Sequence, residues 1–237
     1  MLNAEYVWGQ GAQVILRIED HDRERSRPEY EAGILEDLAW LGYVPDFPPV
    51  RQSDRHAIYE DAARRLIDRG LVYACDCSRR TAGEPRYSGR CRDRGLPIAE
   101  GVGWRVRMDP GIEPFDDLLL GPQTQNPSEQ CGDVLIRDRL GNWTYQLAAT
   151  VDDFVQGIDL VIRGEDLLDS TGRQIRLARL LGRARPPAFM HHPLLMKTAT
   201  QKLSKSDGDT GVRDLRARGL TPAQVKAAAQ APSVGEA

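Results

Sequence analysis

Lysine is nearly absent from this chain: Lys197, Lys202, Lys205 and Lys226 are the only four in 237 residues, and arginine supplies the rest of the 32 basic side chains. No apolar run approaches the ~20 residues that a membrane-spanning helix needs, which excludes a helical bilayer protein. Cysteine is also sparse. Three of the four cysteines sit between positions 75 and 91, a clustering that suits a metal site better than a disulfide framework and predicts a reducing, cytoplasmic compartment. The opening MLNAEYVWGQGAQ lacks the cationic start and apolar core of a signal peptide, and the chain carries no internal repeat. Hydrophobic residues at 41% and charged ones at 28% describe an ordinary globular protein, long enough for a sound core and an inserted module. The net charge of −3 hides a local asymmetry, because Arg79 to Arg107 holds eight arginines against Glu84, Asp93 and Glu100. Such a patch suits phosphates or simply a solvated basic face.

The most informative stretch is Trp143 to Ile175, whose pattern predicts strand, turn, strand, then a helix opened by Asp169, Ser170 and Thr171. A strand giving way to a helix is a usual place for a small-molecule site in an α/β sheet. Tyr145 offers a hydroxyl there, and Arg163 offers a two-pronged donor matched to a carboxylate. An anionic metabolite is the implied ligand. The plainer alternative pairs Arg163 with Glu165 or Asp166.

Upstream, Gln13 to Glu19 predicts a strand ending in the acids Glu19, Asp20 and Asp22. Ser26 and Pro28 open a helix with Tyr30, Ile34, Leu35, Leu38 and Leu41 at helical spacing, closed by Gly42. Asp54 caps a second helix with Ile58, Ala62 and Leu66 on one face. LVYACDC predicts a short strand, and from Ser78 to Gly103 neither period is present. Order resumes with WRVRM, passes a loop at Gly121 to Ser128, and continues in DVLIRDRLGNWTYQL as two strands. PPAFMHHPLLM predicts another strand, KLSKSDGD a loop, and two short helices close the chain around Val212 to Arg218 and from Thr221 and Pro222.

Cys75, Cys77 and Cys91, with Tyr87 four residues before the last, form C-x-C followed by Y-x-x-x-C. Three thiolates from two short turns and one further ligand would satisfy tetrahedral zinc in a closed, structural site. Free buried thiols are the other reading, and Cys131 stands apart as a plain thiol. In KLSKS, Lys202 and Lys205 with Ser204 and Ser206 either stabilise a transferring phosphoryl or nucleotidyl group or form an ordinary polar surface loop.

In this order, RIEDHD and the helix after it, QSDRHAIYEDAARRLIDRGLVYACDCS, VIRGEDLL and KLSKS resemble the glutamate branch of the class I aminoacyl-tRNA synthetases, from about Asn3 to Ala229. KLSKS resembles the KMSKS loop of that class. The cysteine and tyrosine pattern is similar to that of the glutamyl-Q tRNA(Asp) synthetase family, a glutamyl-tRNA synthetase core without an anticodon-binding domain. The resemblance implies an α/β, Rossmann-type catalytic core with a small zinc-binding insertion. It implies ATP- and Mg²⁺-dependent activation of glutamate to glutamyl-adenylate without tRNA, then transfer to the queuosine base in the anticodon of tRNA(Asp). By resemblance Glu19 meets the glutamate ammonium group, Tyr145 and Arg163 complete the glutamate pocket, and Lys202, Ser204 and Lys205 serve ATP, the two lysines as catalytic residues. Cys75, Cys77, Tyr87 and Cys91 match the family's zinc ligands.

The resemblance further divides the chain into a core of residues 1–72 and 104–210, a zinc-binding insertion at 73–103, and a short helical segment at 211–237. The family's first strand and HIGH-like segment have no counterpart here, so the chain is expected to be an N-terminally shortened copy, and a monomer. Two other functions fit the pattern: a shortened discriminating glutamyl-tRNA synthetase, against which Tyr87 and Leu167 speak, and a catalytically inactive, zinc-containing tRNA-binding module.

Overall fold

The computed structural model describes Glu5 and residues 8–20, 26–78, 86–196, 198, 201 and 210–230. Two compact units divide the chain, one of residues 1–51 with 193–237, the other of residues 52–192.

In the first unit only two residues of the expected Gln13–Glu19 strand are paired: β1 (Arg17–Ile18) lies parallel to β2 (Val50–Arg51). Upstream of the pairing, Val14 N–H donates to the Asp46 carboxylate at 2.7 Å, a bond to a side chain that takes the place of a strand partner. Helix α1 (Pro28–Trp40) starts as expected, with Pro28 in the first turn beside Glu29 and Glu31, which favour the positive end of the helix dipole. Its Leu38 and the following Leu41 and Tyr43 pack with α6 (Val212–Ala217) and α7 (Pro222–Gln230), through Val212, Leu215 and Val225. Tyr30 and Ile34, on the same expected apolar face, stay exposed at 57% and 44%.

In the second unit a 3₁₀ turn (Gln52–Arg55) leads into α2 (His56–Asp68), whose Tyr59, Ala62, Ala63 and Leu66 form the buried stripe at helical spacing. Gly70, at φ +67°, ends the helix and lets β3 (Val72–Cys75) enter an antiparallel sheet of order β3–β4–β7, with β4 (Gly103–Val106) and β7 (Val134–Arg137). Leu66, Val106, Met108, Ile136, Leu147 and Leu177 are almost completely buried together. Truncating any of the leucines or Ile136 to Ala would cost about 2–5 kcal/mol by transfer and cavity terms.

The second sheet has order β6–β5–β9–β8, from β5 (Glu113–Asp117), β6 (Gly121–Gln125), β8 (Leu160–Gly164) and β9 (Ala188–His192). β8 and β9 are parallel and joined through a 3₁₀ turn (Glu165–Ser170) and α5 (Thr171–Leu180), which makes a βαβ unit. Two sequence expectations change here. GPQTQ is a strand rather than a loop, and its Gln125 side chain accepts from Gly172 N–H at 2.7 Å, seating the start of α5. A short helix α3 (Pro127–Gln130) follows. The segment from Tyr145 is not a strand either: Trp143 makes a single bridge to Arg137, after which the chain turns into helix α4 (Tyr145–Val155). Trp, Thr and Tyr favour strands locally, but burial of Leu147, Ala148 and Val151 against α2 and α5 decides for the helix.

Two buried carboxylates tie these parts together. Asp152 on α4, fully buried, accepts from Gln52, from Arg55 Nε at 2.7 Å and from Tyr59 OH at 2.9 Å. Asp133 accepts from Tyr73 OH at 2.6 Å, from Arg92 and from Met108 N–H at 2.8 Å, which pins the cysteine-bearing loop to the sheet. Among the described residues no helix is long and apolar enough to cross a membrane.

Burial pushes the Asp133 carboxyl up, but the bonds from Arg92, Tyr73 and Met108 outweigh it and hold it below 3.8. A carboxyl depressed in the folded chain binds its proton more readily once unfolded, so its stabilisation is complete above the unfolded value near 3.9 and fades as pH falls through the lower folded value. The Asp133 contribution, read as the difference between the urea midpoints of the parent and Asp133→Asn, should therefore hold from about pH 7 to 5 and shrink below about pH 4. Asp133→Asn should thus lower the midpoint at neutral pH more than in acid; an unchanged profile would remove Asp133 from this role.

Candidate functional site

Arg163 stands near the carboxyl end of β8, beside His191 on the paired strand β9. The ends of parallel strands, where helices begin, are where α/β sheets hold ligands. Its guanidinium is buried, at 9% exposure, and donates to three neutral groups: Nε to His191 Nε2 at 3.0 Å, Nη1 to Gln174 Oε1 at 2.6 Å and Nη2 to Thr171 Oγ1 at 2.8 Å. Thr171 and Gln174 come from the first turn of α5, one above the other at i, i+3 spacing. Tyr145, half-buried in the first turn of α4, interacts electrostatically with the same guanidinium. The structure thus places Tyr145 near Arg163, and these are two of the three residues that the resemblance assigns to the glutamate pocket.

No carboxylate among the described residues forms an ion pair with Arg163. Glu165 and Asp166, the sequence alternatives, are exposed on the 3₁₀ turn, and the described partners of Arg163 are other residues. Burial pushes the Arg163 guanidinium down from its ordinary value, and Tyr145, Asp153 and Asp117 offset part of that. A guanidinium keeps its proton even so. The result is a buried positive charge that retains a second N–H on each terminal nitrogen. Close by, the Gln174 Nε2 donor is buried without a hydrogen-bond partner among the described residues. Buried polar atoms of this kind are costly unless something completes them, and a carboxylate has the charge and the two-oxygen shape to do so.

Sequence reasoning missed Asp117, His191 and Gln174. His191 is completely buried, its Nδ1 2.6 Å from Asp117 Oδ2. Nothing in FDD or FMHH marks these positions, because they meet only through the pairing of β9 with β5. Glu19 is exposed just beyond β1 in the first unit. Lys202, Ser204 and Lys205 lie outside the described residues.

The cysteine pattern closes into a cluster at the end of β3. Cys75, Cys77 and Cys91 place their sulfurs within 4.8 Å of one another. Tyr87 Oη is 3.5 Å from Cys75 Sγ, and Cys77 and Cys91 sulfurs are 3.5 Å apart. With Zn–S near 2.3 Å and Zn–O near 2.0 Å, tetrahedral edges of about 3.5–3.8 Å are expected, so the donor set fits such an ion. All four cysteines are free thiols, and Cys131 is a buried one whose sulfur donates to Pro127 O, in keeping with a plain core role. Burial, aided by Cys91 and Cys75, pushes the Cys77 thiol up to about 11.

Tyr87 is held by main chain as well as side chain. Its N–H donates to Cys131 O at 2.9 Å, and a Cβ at Gly132 would fall 2.1 Å from Tyr87 O, so only glycine permits this approach. Arg105 lies over the Tyr87 ring at 3.7 Å and Arg94 Nη1 reaches Cys91 Sγ at 3.4 Å. These cations suit a cluster of thiolates, whose negative charge exceeds that of one divalent ion.

The family model for the catalytic domain of class I tRNA synthetases (E and Q) matches residues 1–226. The glutamyl-Q tRNA(Asp) synthetase of Rhodobacter capsulatus is 38% identical, over 91% of this chain and 87% of its own length. That of Bordetella bronchiseptica is 46% identical, over 81% and 64%. The glutamate–tRNA ligase of Thermosynechococcus vestitus is 40% identical over 94% of this chain, which spans about half (51%) of that relative. A solved glutamate tRNA ligase from Elizabethkingia meningosepticum, in complex with its amino acid, superposes with a TM-score of 0.77 at 26% identity, covering 93% of this chain and 54% of that one. The α/β fold around Arg163 and the match along nearly the whole sequence lead to one assignment: the chain belongs to the class I tRNA synthetases of the glutamate and glutamine branch, a family of ligases.

Proposed function

We propose that the chain activates glutamate with ATP and Mg²⁺ to glutamyl-adenylate without tRNA, and passes the glutamyl group to the queuosine base in the anticodon of tRNA(Asp). The observation that carries the substrate assignment is the buried Arg163 guanidinium with no carboxylate among its described partners. A γ-carboxylate held there leaves the α-carboxylate to attack the α-phosphorus of ATP and expel pyrophosphate. Tyr145 steadies the bound carboxylate from the start of α4. Glu19 is assigned to the ammonium group, and Lys202, Lys205 and Ser204 to the ATP phosphates. No side-chain nucleophile is needed, so catalysis rests on positioning and charge stabilisation.

Zinc, held by Cys75, Cys77, Cys91 and Tyr87, supplies a structural crosslink and takes no part in the chemistry. Transfer to queuosine rather than to a tRNA 3′ end is supported by the relatives of that name, by Tyr87 in the ligand set and by Leu167 after VIRGED. The glutamate–tRNA ligases at comparable identity support the second reading, charging of tRNA(Glu).

Glutamate-dependent exchange of pyrophosphate into ATP without tRNA, run on this chain and on a form preceded by a HIGH-like segment, tests the activation step; silence from both would sink it. Acceptance by queuosine-containing tRNA(Asp) but not by tRNA(Glu) would separate the two readings. Arg163→Ala should reduce exchange by more than about 100-fold with the fold intact, since a buried charged contact is lost; unchanged exchange would take Arg163 out of the pocket. Cys77→Ser should lose most of the bound zinc by atomic absorption and expose the loop to protease, whereas full zinc content would show that the ligand set is wrong.

A further inference from the structure

We propose that Asp117 and His191 are positioning residues for Arg163: the carboxylate fixes the imidazole as its Nδ1–H tautomer, so that Nε2 accepts from Arg163 Nε and aims the free edge of the guanidinium at the substrate carboxylate. The last clause rests on the glutamate reading above; the tautomer does not.

The hydrogen-bond arithmetic leaves little choice. Asp117 Oδ1 accepts from Leu119 N–H at 3.0 Å and Leu120 N–H at 2.9 Å, and Oδ2 accepts from His191 N–H at 3.1 Å. The same Oδ2 lies 2.6 Å from His191 Nδ1. Burial pushes the Asp117 carboxyl up, yet the contacts with His191 and with the Leu120, Leu119 and His191 amides outweigh it and hold the group below its usual range. An ionised carboxylate only accepts, so the proton between it and Nδ1 belongs to the ring. Nε2 then faces Arg163 Nε–H at 3.0 Å, a donor that cannot accept a hydrogen bond, and must present its lone pair. A second proton on the ring would set donor against donor beside a fixed charge. Burial and the Arg163 charge push the imidazole down against the pull of Asp117, with a net fall from 6.5, in agreement with a neutral ring.

The surroundings hold this arrangement. Phe189 stacks on His191 with ring planes 15° apart, and the Thr171 hydroxyl lies 3.2 Å from Nε2 while accepting from Arg163 Nη2. With no exposed surface, His191 cannot touch a substrate and acts only through Arg163. Asp117 therefore supplies the counter-charge of Arg163 through a neutral ring, where direct pairing would occupy the edge that a substrate carboxylate needs.

Long-range ¹H–¹⁵N correlation spectra of the labelled chain near neutral pH read the tautomer directly, with the His191 ring assigned by its loss in His191→Gln. The expected pattern is a protonated Nδ1 and a bare Nε2; an Nε2–H tautomer or an imidazolium would overturn the proposal. Calorimetric titration with L-glutamate gives the second readout. His191→Ala should weaken binding roughly tenfold or more, in line with losses at supporting residues, while His191→Gln, whose Oε1 can replace the Nε2 acceptor, should recover most of it. Equal affinity in parent and a folded Ala variant, or no rescue by Gln with the Ala variant impaired, would count against positioning. Should the Ala variant not fold, the spectrum and the Gln affinity decide, a Gln variant as weak as Arg163→Ala being the adverse result. If the parent takes up no glutamate at all, the glutamate reading fails separately, and the tautomer still upholds or overturns the Asp117–His191 assignment.

Discussion

A buried guanidinium with no ion-paired carboxylate among the described residues is the constraint around which the second unit is built. Moving such a charge out of water costs several kcal/mol, and neutral hydrogen-bond acceptors repay only part of it. The chain meets this cost by converging four elements on Arg163: β9 brings His191, α5 brings Thr171 and Gln174, α4 brings Tyr145, and β5 brings Asp117 one residue further away. Each is short and rigid. A loop could not hold five polar groups in register with one another, whereas strand ends and first helical turns can.

Two other buried carboxylates, Asp152 and Asp133, serve the same rigidity. Asp152 joins α4, which carries Tyr145, to the 3₁₀ turn and α2, and its acceptor oxygens are met by Gln52, Arg55 and Tyr59. Asp133 performs the corresponding task for the cysteine-bearing loop through Tyr73 and Arg92. Removing one partner from a buried pair is far more damaging than removing both, because it strands the other charge. The cysteine cluster and the candidate pocket therefore stand on separate buried acids within the same unit.

Membership in the glutamate and glutamine branch of the class I synthetases narrows the chemistry without choosing an acceptor, since relatives of both names match at similar identity. What the site supports is capture of a small anionic amino acid. A buried arginine does not choose an RNA acceptor, since RNA is recognised through its shape and unstacked bases.

Much of the scaffold was legible from local pattern: α1, α2, β3, β4, β8, α5 and β9 fall where hydrophobic periodicity and turn residues put them. The helix from Tyr145 was not, because WTYQL has the composition of a strand and only packing of Leu147 and Val151 overrides it. β5 escaped for a different reason. EPFDD alternates strictly, but its inward positions are Glu113, Phe115 and Asp117, and acids do not read as a buried face until Arg176, Arg179 and His191 are seen opposite them. The sequence by itself determined the family, the clustering of Cys75, Cys77 and Cys91 around Tyr87 and the choice of Tyr145 and Arg163 as candidates, because these depend on residue type and order along the chain. Only the tertiary structure decided that Arg163 is buried with no ion-paired carboxylate among the described residues and that Asp117 reaches it through His191, because positions 117, 163 and 191 become neighbours solely through strand register, which no local spacing encodes.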